Sequence, residues 1–73
     1  MTDSIYKVIE LIGSSPTSWE DAVKNVVETA SKTLSDLRVA EVKELDVKLN
    51  DKGGIAAYRA KVRLSFKYLK EKD

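Results

Sequence analysis

The sequence predicts an α+β fold of order β-α-β-β, a three-stranded antiparallel sheet wrapped around one helix, in a chain that assembles with copies of itself. Three observations carry this reading. Ile55 to Lys70 alternates in period two, with Tyr58, Ala60, Val62, Leu64, Phe66 and Tyr68 on one face and Arg59, Lys61, Arg63, Ser65 and Lys67 on the other. Between residues 19 and 37 the apolar positions recur instead at three- and four-residue spacing, the period of a helix. The two lengths do not match, because the strand runs roughly 45 Å at ~3.3 Å per residue and the helix roughly 28 Å at ~1.5 Å per residue. The apolar face of the strand overhangs its cover, and the overhang needs another chain.

Ile5 to Ile12 is rich in β-branched residues and closes at Gly13, which reads as the first strand. Ser14 to Thr17 is a polar connection. Ser18, followed three residues later by Asp21, fits a capping box, and Glu20 suits the positive end of the helix dipole. The helix, about Trp19 to Leu37, presents Trp19, Ala22, Val23, Val26, Ala30, Leu34 and Leu37 on one side; Lys24, Glu28, Lys32 and Asp36 form a solvated stripe. Arg38 to Asn50 reads as a second strand with a phase slip, since Ala40 and Val42 share one parity while Leu45, Val47 and Leu49 share the other. A bulge near Lys43 and Glu44 reconciles them. Asp51, Lys52, Gly53 and Gly54 then read as a hairpin turn with at least one residue at positive φ. Glu71, Lys72 and Asp73 are expected to fray, and residues 1–73 read as one domain without repeat or linker.

Composition narrows the function. A 73-residue chain builds a core worth only a few kcal/mol net, and with no cysteine and no histidine it has neither a disulfide nor a zinc cluster to support it. Oligomerisation is the remaining support. The net charge of +1 argues for neither a nucleic-acid nor a membrane partner. No apolar run reaches the length of a membrane span or of a secretory h-region, and residues 1–4 are unlike a basic n-region, so the default reading is cytoplasmic.

Without His or Cys, the commonest general base and a common nucleophile are missing, and the chain does not read as an enzyme. Ser14, Ser15 and Ser18 sit in a capping context rather than a catalytic one. Trp19, Tyr58 and Tyr68 lie on apolar registers and read as core or subunit contacts. The candidate ligand-binding residues are Arg59, Lys61, Arg63 and Lys67, four cations on one strand face at ~7 Å spacing. They either hold an anionic ligand through its phosphates or neutralise the acidic residues Glu41, Glu44 and Asp46 across the hairpin.

The chain from Tyr6 to Pro16, YKVIELIGSSP, together with Ser18-Trp19-Glu20-Asp21-Ala22, Ala30 to Leu34, Leu37-Arg38, Glu41-Val42, Tyr58 and Val62, resembles the dodecins. These are small flavin-binding proteins that assemble into hollow spheres of twelve identical subunits. The resemblance implies the wrapped β-α-β-β fold, a hollow homododecamer, and a flavin (FMN, FAD or riboflavin) as a possible cofactor. It also locates departures. Where flavin-binding members have a stacking tryptophan and a second aromatic, this chain has Val39 and Ala40; where they have a glutamine at the isoalloxazine edge it has Arg59; and an arginine of the family becomes Asp46. Two functions follow. One is a storage or buffering protein for flavin or another anionic cofactor. The other is a divergent member that does not bind flavin and serves as a structural shell or a calcium- or ion-binding assembly, with Glu41, Glu44, Asp46 and Asp51 as oxygen donors.

Overall fold

The computed structural model describes residues 5–69 and arranges them as β1 (Ile5–Ser15), α1 (Trp19–Thr33), β2 (Leu37–Leu49) and β3 (Ile55–Leu69). The strands form one antiparallel sheet in the order β1-β3-β2, so the alternating strand is the central one. Its two faces are sorted as the period demands. Ala60, Val62 and Leu64 are buried against Ala22, Val26 and Ala30 of α1, with Ile9, Val23, Val27, Leu34 and Leu37 packed around them. Burying Val62 or Leu64 is worth about 1.5–3 kcal/mol each relative to exposure. Lys70 and the Glu71 to Asp73 tail lie outside the described residues.

The phase slip in β2 is resolved by a bulge where the pattern required one. Val42 opposes Val62 and Glu44 opposes Lys61, which leaves Lys43 without a place in the register. Ala40, Val42, Leu45 and Val47 therefore share the helix-facing side with Leu64, Val62, Ala60 and Tyr58. The hairpin closes through Asn50, whose N–H donates to the Gly54 carbonyl at 2.8 Å and whose Oδ1 accepts from the N–H groups of Lys52 and Gly54. Gly53 supplies the positive φ, at 83°.

Two boundaries differ from the sequence reading. The helix ends at Thr33, not Leu37: Leu34 is already extended, its N–H capping the Ala30 carbonyl at 2.8 Å, and Asp36 adopts a left-handed φ of 61°. The Asp36 carbonyl then accepts from the Lys67 N–H, which delivers Leu37 to the sheet opposite Phe66. Leu34 and Leu37 do pack on the core, from a returning chain rather than a helical turn. The first strand runs on through Gly13 to Ser15. Gly13 is no strand end; it is where α1 comes closest to β1, and a Cβ there would collide with Val26 Cγ2 and sit 2.7 Å from the Ala22 carbonyl oxygen.

The helix start follows the capping pattern with one change of partner. Ser18 Oγ accepts from the Asp21 N–H at 3.0 Å, but the Asp21 carboxylate accepts from Ser15 Oγ at 2.7 Å instead of closing a box on Ser18. Ser15, fully buried, also accepts from the Thr17 N–H, so its hydroxyl is satisfied. Ser14 belongs to β1, where its carbonyl accepts from Asn25 Nδ2.

A 15-residue helix is only ~22 Å long, and it lies across β1 and β3 while barely reaching β2. The chain is accordingly a thin slab of 59 × 20 × 14 Å. Large apolar side chains stay exposed along both edge strands, with Ile12, Val39 and Leu49 each more than half accessible. No described helix is long and apolar enough to cross a membrane.

Replacing Gly13 by alanine should lower unfolding stability by about 1–3 kcal/mol, because Val26 and the helix backbone must both move. Equal denaturation midpoints for Gly13→Ala and the unaltered protein would show that the helix has room to shift.

Candidate functional site

Pairing partners in an antiparallel sheet place their side chains on the same face, so the register defines the surface opposite α1. β3 contributes Arg59, Lys61, Arg63, Ser65 and Lys67 to it. β2 contributes Val39, Glu41, Glu44 and Asp46, which oppose Ser65, Arg63, Lys61 and Arg59. β1 contributes Tyr6, Val8, Glu10, Ile12 and Ser14, opposite Lys67, Ser65, Arg63, Lys61 and Arg59. Beside the cations, then, this face carries an exposed apolar group of Tyr6, Val8, Ile12 and Val39. Sequence reasoning missed that group because β1 is apolar on both parities.

Three of the four candidate cations meet the carboxylate directly across the sheet. Arg59 donates through Nε and a terminal nitrogen to both oxygens of Asp46 at 2.7 and 2.8 Å, a two-pronged fork. Arg63 donates twice to Glu10 Oε2, at 3.1 and 2.9 Å, and Lys61 lies 3.4 Å from Glu44. Lys67 has no carboxylate partner among the described residues. Glu41, also opposite Arg63, pairs with Lys43 at 3.5 Å. The hydrogen bonds from Arg63 hold Glu10 below its ordinary pKa, and those from Arg59 do the same for Asp46 while raising Arg59 in return.

Val39 and Ala40 lie at the start of β2, on opposite faces, and Asp46 and Arg59 pair with each other near its other end. Val39 and Asp46 are separated by roughly 20 Å of strand at ~3.3 Å per residue. One chain therefore cannot bring both to a single ring ligand. A site using both would need a second copy.

On the helix side, Trp19 stands over β2. Its Nε1 donates to the Asp46 carbonyl at 3.0 Å, and its ring meets Tyr58 edge to face at 5.1 Å. With Glu20, Val23, Val42 and Leu45 it lines an open cleft of about 250 Å³, apolar except for the glutamate. Trp19 is thus a partly exposed contact residue, held in place by a backbone carbonyl. Among the described residues, no three His, Cys, Asp or Glu side chains gather to hold a metal ion within one chain.

A family model described as Dodecin matches residues 5–69. The calcium dodecin of Mycobacterium tuberculosis is 48% identical over 64 residues, covering 88% of this chain and 89% of that protein. The solved dodecin from Streptomyces coelicolor superimposes with a TM-score of 0.87 at 32% identity, covering 97% of this chain and 100% of that one. A crystal structure of the M. tuberculosis calcium dodecin, described as a calcium-chelating antigen with a novel calcium-binding site, gives a TM-score of 0.80 at 44% identity. It covers 96% of this chain and 99% of that one.

Because Glu10 and Asp46 release their protons at lower pH when folded than when unfolded, the unfolded chain binds more protons between the two values. Their contribution is present above the ordinary carboxylate range and is lost as pH falls through the folded values. Denaturant midpoints should accordingly decline below about pH 4.5. The decline should be shallower in Glu10→Gln/Asp46→Asn, and smaller for both proteins in high salt because the pairs are exposed. Parallel acid limbs would show that the pairs contribute nothing measurable.

Proposed function

The chain belongs to the dodecin family, and we propose that within it this protein is a binding shell, not a catalyst, that takes ions and does not take flavin. The observation that carries the reading is the pairing of Asp46 with Arg59. Two positions at which the chain departs from the flavin-binding pattern satisfy each other through a two-pronged bond, so neither is left to address an isoalloxazine edge. Val39 and Ala40 meanwhile offer no ring to stack upon. Stacking on an aromatic is worth ~1–3 kcal/mol per contact, so its loss alone lowers affinity by roughly fivefold to a hundredfold.

The ion half of the proposal draws on the relative named a calcium dodecin. Calcium takes six to eight oxygen ligands. Here Glu41, Glu44 and Asp46 each lie against a cation of their own subunit, and Asp51 sits apart at the hairpin turn. A calcium site in this protein is therefore built between subunits, and the assembly we propose is the family's dodecamer.

Titrating flavin mononucleotide with the purified protein tests the reading. No saturable fluorescence quenching is expected at tens of micromolar, whereas Val39→Trp/Arg59→Gln, which restores a stacking ring and an edge partner, should quench. Saturable quenching by the unaltered protein would overturn the reading. An assembled variant that gains nothing would show that the site lies elsewhere.

A further inference from the structure

Of the cations on the open face, Arg59 differs from Arg63 in one structural respect. Arg63 has a carboxylate in register on each side, Glu10 on β1 and Glu41 on β2. Arg59 has only Asp46; its neighbour on β1 is Ser14. The nearest other carboxylate along β2, Glu44, lies against Lys61. Within one chain Arg59 and Asp46 are each about half exposed, at 42% and 50%, so no group of their own chain covers the fork. Its geometry, two parallel N–H groups on two oxygens, is the one a guanidinium offers equally to a ligand carboxylate or to two oxygens of a phosphate. Lys61 and Arg63 follow on the same strand face, each already matched by a carboxylate of its own, which leaves Arg59 as the fork that a single substitution would free.

We propose that Arg59 is an oxyanion receptor and that Asp46 is its built-in occupant, the residue that decides whether this face accepts a phosphate- or carboxylate-bearing ligand. With Asp46 in place the receptor is filled from within the subunit. Without its charge, no other carboxylate stands in register to refill it. Inorganic phosphate has no ring to stack, so this proposal and the flavin reading fail separately.

The test is a calorimetric titration of the assembled protein with inorganic phosphate at low salt. The unaltered protein and Glu10→Gln should show no saturable binding in the millimolar range, the latter because Glu41 remains beside Arg63. Asp46→Asn and Asp46→Ser should each bind at least about tenfold more tightly, the serine variant more so because it leaves no side-chain carbonyl in the fork. Adding Arg59→Gln to either should abolish the gain. Unchanged Trp19 emission would report that β2 has kept its place, since the indole donates to the Asp46 carbonyl. The proposal is overturned if neither Asp46 variant gains affinity, or if the gain survives Arg59→Gln.

Discussion

A strand paired on both sides can send its side chains only to one face of the sheet or the other, and β3, at the centre of this sheet, sorts them completely. One face carries Ala60, Val62 and Leu64 into the contact with α1; the other carries Arg59, Lys61 and Arg63 into a row of cross-strand ion pairs. Each constrains the other. A one-residue slip of β2 would turn Asp46 and Glu44 toward the helix and bring Leu45 beside the arginines, so the apolar contact and the charge row select the same register. The bulge at Lys43 is part of this constraint, because without it β2 satisfies β3 over only half its length.

The same sorting leaves large apolar surface open on the single chain. α1 is shorter than the strand it covers and lies to one side, over β1 and β3. The helix-facing residues Val42, Leu45 and Leu49 of β2 stay about half exposed, and so do Tyr6, Val8 and Ile12 on the far side of β1. A soluble chain rarely exposes so much large apolar surface unless something else covers it. In the dodecamer proposed above, further copies of the chain would be that cover.

Much of this was legible in the sequence, for a physical reason: period, parity and turn chemistry are local. The alternation of β3, the parity change in β2 and the glycine of the hairpin each needed no knowledge of the rest of the chain. The errors fell where one local pattern admits two structures. Leu34 and Leu37 continue the helical spacing, yet they belong to a chain that turns at Asp36 and returns to the sheet. Gly13 followed by polar residues suggests a strand end, although the glycine is there because the helix passes too close for a Cβ. The candidate cations were readable as one face, and Glu44 and Asp46 as acidic partners across the hairpin, but the individual matches and the part played by Glu10 were not. Matching Arg59 with Asp46 and Arg63 with Glu10 takes the register of both edge strands, including the bulge.

In the proposed dodecamer the exposed apolar rows of this chain are covered by other copies. Light scattering coupled to size exclusion, in dilute solution, tests it most directly. A single species of about twelve times the 8.2 kDa chain is expected. A monodisperse monomer, stable with Ile12, Val39 and Leu49 in water, would contradict it.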